Sequence, residues 1–243
     1  MMKILMSFVI LAHFIHARDL PKYLIPLKCP KDNNFQKCFV ESANKAIPIV
    51  AKGDPDLHIP KLSPMEIPFL QLISTPNLQL NFTNIKVHGL DHLQMVDIRI
   101  YWDKNMYTTI FTSDNITIEG DYVARGQVMI MPIKGNGHFT MMMNGATFKA
   151  TVVSGNIDRN GVKYFHLDDF KLDYNIKKLS FNFENLFEGN KELGDQLNKF
   201  LNDNWDLILT DFGPGISNTV SGIIRNIYQQ VGEEVPVKYF FKE

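Results

Sequence analysis

The sequence predicts an α+β fold in which a curved antiparallel sheet lies along a long C-terminal helix. Three observations carry that expectation. Apolar residues recur at helical spacing near both ends of the chain, they alternate with polar ones from Leu78 to about Phe183, and the alternation reverses phase inside one strand.

The 243 residues carry 25 basic and 26 acidic side chains and are 45% hydrophobic. Such a chain is neither disordered nor built to bind nucleic acid by charge. Residues 1–17 read as a secretory signal peptide. Lys3 supplies the positive start, Ile4 to Ile15 form an apolar run broken only by Ser7 and His13, and Ala17 is a small residue before Arg18 and Asp19. Residues 18–243 then form one domain, since no linker or composition shift divides them. No later run is apolar for long enough to span a bilayer, so no stable membrane insertion is expected.

The two cysteines, Cys29 and Cys38, both follow the signal peptide and would meet an oxidising lumen, so they are expected to pair. Closing so short a loop contributes about 2.7 kcal/mol in the chain-entropy model. From Phe35 the positions Cys38, Phe39, Ala43, Ala46, Ile47 and Val50 share one helical face, and Gly53-Asp54-Pro55 ends the helix. Pro48 lies inside the pattern and predicts a kink or an early stop. With four prolines, at 60, 64, 68 and 76, the stretch 57–76 reads as an extended connector with one short helix.

Strands follow. Leu78, Leu80 and Phe82 alternate with polar residues, as do Ile98 and Ile100, and Ile116 and Ile118. Phe139, Met141 and Met143 are apolar at odd positions, whereas Ala146, Phe148, Ala150 and Val152 are apolar at even ones. The change at Asn144-Gly145 is expected to be a bulge that bends the strand. Leu193, Leu197, Leu201, Trp205, Leu209 and Phe212, continued by Ile216, Val220, Ile223, Ile227 and Val231, form one stripe that crosses Gly213-Pro214-Gly215, where a kink or break is expected. A helix from Lys191 to Val231 would be about 60 Å long, against a diameter of roughly 45 Å for a compact chain of this size, so the molecule is expected to be elongated.

Several segments, in this order and spacing, carry a resemblance. They are the early cysteine pair, Gly53-Asp54-Pro55-Asp56-Leu57-His58-Ile59-Pro60, Asn84-Ile85-Lys86-Val87-His88-Gly89-Leu90, Gly120-Asp121-Tyr122 through Pro132-Ile133-Lys134-Gly135-Asn136-Gly137, Asn185-Leu186-Phe187 and Leu201-Asn202-Asp203-Asn204-Trp205. Together they resemble the takeout and juvenile hormone binding protein family. The resemblance implies a secreted insect carrier whose curved sheet wraps a long helix and encloses an apolar tunnel. The hormone-binding branch carries additional cysteines, so two alone favour the takeout branch.

Motifs for catalysis are missing from the sequence: there is no Gly-x-Ser-x-Gly, no His-Glu-x-x-His and no phosphate-binding glycine loop. His88, Asp91 and His92 have metal-like spacing but read as a solvated loop, Gly135-Asn136-Gly137 reads as a strand turn, and the adjacent Asp168 and Asp169 face opposite ways in a strand. A non-enzymatic protein without cofactor or metal is expected. Candidates for binding are better. Met129, Met131, Met141, Met142 and Met143 fall within fifteen residues that also hold Phe139, with Phe148 just beyond them, and methionine suits surfaces that adapt to variable apolar shapes. The expected ligand-binding set is Met129, Met131, Phe139, Met141, Met143, Phe148, Tyr122, Leu201, Trp205, Leu209 and Phe212, with Tyr122, Tyr101 and Asn144 as possible polar anchors. The ligand is expected to be a terpenoid, juvenile-hormone-like or fatty-acyl molecule. The competing reading is a secreted interaction protein whose core is fully packed. Asn81-Phe82-Thr83 and Asn115-Ile116-Thr117 are acceptor sequons, and both asparagines lie opposite the apolar phase.

Overall fold

The structure, a computed structural model, describes residues 29–30, 32–72, 78–239 and 241–242; the expected signal peptide lies outside them. A two-residue strand, β1 (Cys29–Pro30), precedes helix α1 (Phe35–Val50), and Cys29 and Cys38 are disulfide-bonded with their Cα atoms 5.9 Å apart. Pro48 does not shorten α1, which ends where Gly53 takes a φ of 82° and reverses the chain. The asparagine Asn44 on α1 binds the backbone of Met95: its Oδ1 accepts from the N–H at 2.7 Å and its Nδ2 donates to the carbonyl at 3.0 Å.

The expected connector over 57–76 contains a strand. After a one-turn helix at Pro55–Leu57, residues Met65–Leu72 form β2, which pairs with β3 (Gln79–His88). Pro68 has no place in that register, and β2 is an edge strand, where a missing N–H is tolerated. The main sheet is antiparallel in the order β2-β3-β5-β6-β7, where β5 is Met106–Val128, β6 Met131–Arg159 and β7 Val162–Phe183. Strand β4 (Gln94–Tyr101) pairs with the first half of β5 and β3 with the second half. At about 3.3 Å per residue β6 would reach roughly 95 Å if straight. It therefore has to coil, and the phase reversals are where it does so.

The reversal in β6 is real, but it is not a bulge. Ser113 and Ile116 on β5, Ala146 and Met143 on β6, and Ile176 and Leu179 on β7 all face inward, so two consecutive outward positions occur in each strand. The strands keep their register across this line, with no extra residue in any of them. Gly145, at φ 66°, makes the kink possible, and Lys177 lies across the place where its side chain would be. A true bulge lies in β3, where Asn84 has a φ of 52° and the pairing with β5 shifts between Thr83 and Lys86.

Helices α2 (Lys191–Asp203) and α3 (Trp205–Glu234) follow the sheet. The expected break at Gly213-Pro214-Gly215 does not occur; α3 runs through Pro214, and the interruption lies at Asn204, whose φ of −117° is outside the helical range. Gly213 matters for another reason: the Tyr174 hydroxyl packs directly against its Cα, leaving no room for a side chain. The two helices run along the free edge of β7. Asn198 accepts from the Phe183 N–H and donates to its carbonyl, both at 2.9 Å; Asn202 does the same for Phe181 at 2.9 and 2.8 Å. Farther along, the Ser217 hydroxyl donates to the Leu172 carbonyl at 3.3 Å and Arg225 to that of Asp168 at 3.2 Å. Four side chains thus satisfy backbone groups that an open edge would expose. A final strand, β8 (Phe241–Lys242), pairs in parallel with β1 and ties the two ends of the described chain together.

Candidate ligand site

Cross-strand register sorts the inward-facing side chains into rows across β5, β6 and β7. From the hairpin at residues 128–131 these are Tyr122 with Gly137, then Gly120–Phe139–Phe183, Ile118–Met141–Phe181 and Ile116–Met143–Leu179. Beyond the kink come Ser113–Ala146–Ile176, Phe111–Phe148–Tyr174, Thr109–Ala150–Leu172 and Tyr107–Val152–Phe170. Residues directly paired share a face, so every row faces the helices.

The rows before Met141 are packed solid. Phe139 and Leu197 have no exposed surface, and Phe82 stands edge-on to Phe139 with ring centroids 4.7 Å apart. Tyr122 meets Phe183 edge-on at 4.9 Å and donates its hydroxyl to the Glu184 carbonyl at 2.7 Å. Burial pushes the Tyr122 hydroxyl up to about 12, with the nearby Glu184 carboxylate adding to the shift. Gly135 and Gly137 are not a turn but residues of β6, and chain 184–186 crosses over them: a side-chain carbon on Gly137 would lie 2.7 Å from the Glu184 oxygen. The turn is at residues 129–130 instead.

From Met141 onward buried row members such as Ile116, Leu179, Ala146 and Val152 alternate with side chains that are only partly covered. Met141, Met143, Phe148, Trp205, Leu209, Ile216 and Ile223 all adjoin the main core yet keep uncovered surface. The expected set therefore divides. Phe139, Tyr122, Leu201 and Phe212 are buried in the core, while Met141, Met143, Phe148, Trp205 and Leu209 pack against the same core and are only partly buried. Met131 lies ten residues along β6 from Met141, about 33 Å in an extended strand, near the hairpin. Met129 is exposed in the hairpin turn and Met142 points outward, so the methionine cluster of the sequence does not assemble in space. Neither Tyr101, exposed at the end of β4, nor Asn144, at the outer side of the kink, joins the inward rows.

Sequence reasoning missed the other end of the interior. Tyr107 and Thr109 on β5, Tyr174 on β7 and Tyr228 on α3 bring hydroxyls into rows that are otherwise apolar. Burial raises Tyr107 well above the usual tyrosine range, with the facing Tyr228 adding to it; burial raises Tyr228 and Tyr174 as well. Period-two alternation through Tyr107, Thr109, Phe111 and Ser113 was the available signal. His88 instead pairs with Glu119 at 3.1 Å, and Asp91 accepts from the Ser63 hydroxyl at 2.8 Å. Among the described residues no three His, Cys, Asp or Glu side chains gather as metal ligands, and no helix is long and apolar enough to cross a membrane.

Comparison with known proteins agrees with this architecture. Residues 4–242 match the family model for haemolymph juvenile hormone binding protein. The circadian clock-controlled protein daywake of Drosophila yakuba is 25% identical over 218 residues, covering 85% of this chain and 84% of its own length. Its Drosophila melanogaster counterpart is 23% identical over 219 residues, covering 86% and 84%. The crystal structure of Epiphyas postvittana Takeout 1 superimposes with a TM-score of 0.82 at 23% identity, over 89% of this chain and 99% of that one. With the family model matched over nearly the whole length and the fold in agreement, this chain belongs to the takeout and juvenile hormone binding protein family.

Proposed function

We propose that this protein is a secreted, non-enzymatic carrier that shields one long apolar molecule from water in a tunnel between the sheet and α2–α3. One observation carries the reading: Met141, Met143, Phe148, Trp205 and Leu209 adjoin the helix–sheet core but are only partly covered by it. A close-packed core leaves few voids larger than a water molecule, as the Phe82–Phe139–Phe183 end illustrates. Burying some 300 Å² of ligand would yield on the order of 7 kcal/mol before the costs of association. Terpenoid, juvenile-hormone-like and fatty-acyl molecules all meet the apolar demand. Protein purified from insect-cell medium, denatured and extracted, should release a stoichiometric apolar compound detectable by mass spectrometry. Extracts that stay empty, together with failure to bind any added fluorescent lipid, would refute the carrier reading in favour of a packed interaction protein.

Secretion with cleavage near Ala17 belongs to the same proposal, and the intact mass of the protein from the medium tests it. Of the two sequons, Asn115 is exposed and is the proposed glycan site, whereas Asn81 is partly covered and its Oδ1 is buried. Glycosidase treatment should lower the mass of the native protein and leave an Asn115→Gln variant unchanged.

A further inference from the structure

The two long hairpins of the sheet are closed in opposite ways. Between β6 and β7, Arg159 pairs with Val162 across the two-residue loop Asn160-Gly161, whose φ angles are 56° and 82°, and the Gly161 N–H donates to Asp158 Oδ1 at 2.8 Å. Asparagine and glycine take a positive φ at least cost. Between β5 and β6, Val128 pairs with Met131, and the two-residue loop is Met129-Ile130. Met129 is held at a φ of 54°, a region uncommon outside glycine and asparagine, and Ile130 is 78% exposed, more than any other large hydrophobic residue described. The tip is firmly seated, because Val128 and Ile133 are each 3% exposed and belong to the main core with Leu78 and Ala124. A rigid hairpin thus holds apolar turn residues in water, and such departures from local rules persist where function requires them. Behind the tip Arg125 faces Lys134 on the outer side of the sheet, with exposed Gln127 and Pro132 between them and the turn. These two are the only charges in residues 123–136, and both are positive in a chain of net charge −1. Glu188 pairs with Lys134, whereas Arg125 has no acidic partner among the described residues.

We propose that the Met129-Ile130 tip docks this protein on an anionic lipid bilayer, its two apolar side chains entering the interface while Arg125 and Lys134 meet the headgroup phosphates. The spacing fits. Ile130 and Lys134 are four residues apart along β6, about 13 Å. Apolar groups of interfacial proteins sink about 5–10 Å into the headgroup and acyl boundary, and the long stems of arginine and lysine cover the remaining distance. The sign fits as well, since basic residues beside a membrane are drawn to anionic lipids. A protein partner fits less well. A specific interface covers roughly 800 Å² on each side, which a convex tip of two residues does not offer, whereas a bilayer closes around whatever protrudes into it. The docking goes beyond the carrier reading and does not depend on a ligand in the interior.

Flotation of the protein purified from insect-cell medium tests this, with vesicles of phosphatidylcholine alone and of phosphatidylcholine and phosphatidylserine in equal amounts. The protein should float with the mixed vesicles, less with phosphatidylcholine, and less at about 1 M salt, where the Debye length falls to about 3 Å. Ile130→Ser should lower the partition coefficient about tenfold, the transfer value of a buried isoleucine side chain, and Arg125→Gln about fivefold. Ile130→Leu should leave it unchanged. Replacing both turn residues, Met129→Asn with Ile130→Gly, gives the tip the loop of the other hairpin: this variant should resist denaturant as well as the parent or better, yet lose flotation. A double variant that is destabilised would show that the tip serves the fold, and would overturn the proposal. So would a parent protein that does not float with the mixed vesicles, or flotation that Ile130→Ser leaves unchanged. A dimer seen by sedimentation velocity, dissolved by Ile130→Ser while vesicles stay unbound, would assign the tip to a second copy of the chain and overturn it too. None of these results touches the carrier reading.

Discussion

Replacing Gly213 by alanine should destabilise the protein, against the ordinary expectation for a helix interior. By propensity alone a buried or exposed helical Gly→Ala change gains about 1 kcal/mol. Here the added carbon would sit inside van der Waals contact of the Tyr174 hydroxyl oxygen, 3.1 Å from the ring carbon that bears it and 3.4 Å from Leu209 Cδ1. Either α3 moves away from β7 or Tyr174 leaves its rotamer, and overpacking of this kind costs about 1–3 kcal/mol. The balance is a net loss of about 0–2 kcal/mol, small enough to be confused with other effects. A double-mutant cycle isolates it. In a Tyr174→Phe background the hydroxyl is gone, so Gly213→Ala should be better tolerated by at least about 1 kcal/mol. Strain from placing alanine before Pro214 is present in both backgrounds and cancels. Urea denaturation of the four proteins gives the coupling directly. A Gly213→Ala variant that is more stable than its parent, with no coupling to position 174, would refute the argument that glycine lets α3 lie against the sheet.

Other perturbations probe separate parts of the molecule. Met141→Trp should weaken ligand binding severalfold while stability in the ligand-free protein stays within about 1 kcal/mol; a close-packed site would instead lose roughly 1–3 kcal/mol on overpacking, measured by probe displacement beside a melt. Asn202→Ala leaves the Phe181 N–H and carbonyl without their partner and should cost about 1–3 kcal/mol, with faster hydrogen exchange at Phe181 and its neighbours; unchanged exchange would show that the side chain does not seal the edge. Raised tyrosine ionisation gives an alkaline limit. Tyr122 at about 12, with Tyr107, Tyr174 and Tyr228 also raised, binds its proton more tightly folded than unfolded. Stability from these groups is therefore complete below about pH 10, the unfolded value, and lost as pH rises towards 12. Denaturant midpoints that stay flat from pH 9 to 12 would contradict the burial of these hydroxyls.

The start and apolar face of helix α1 were legible in the sequence, whereas the early stop expected at Pro48 does not occur and the helix continues to Val50. Strand phase was equally legible, including its reversal in β6. What alternation could not reveal was that the reversal is shared by three strands in register, since that depends on partners far apart in the sequence, such as Ile116 with Met143 and Met143 with Leu179. Proline count misled for β2: an edge strand needs only one side of its backbone paired, and which strands are edges is a property of the assembled sheet. Asn198 and Asn202, spaced four apart on a helix, bind the edge of β7 only because that strand lies beside them, which their spacing alone does not show.

The same division holds for the candidate site. Composition and periodicity determined that two apolar surfaces exist, one on the sheet and one along α2–α3, and that the cysteines would staple the start of the chain. They could not determine the distance between those surfaces, because side-chain pattern records direction and not depth. Only the tertiary structure decided that Phe139 and Leu201 are buried while Met141, Trp205 and Leu209 pack against the same core and keep part of their surface uncovered, and that Met129 faces water at a hairpin tip. It also decided where the hydroxyls fall. Tyr107 and Tyr228 are 121 positions apart, and a polar end to an apolar interior arises only when the curled sheet brings β5 over the last turns of α3.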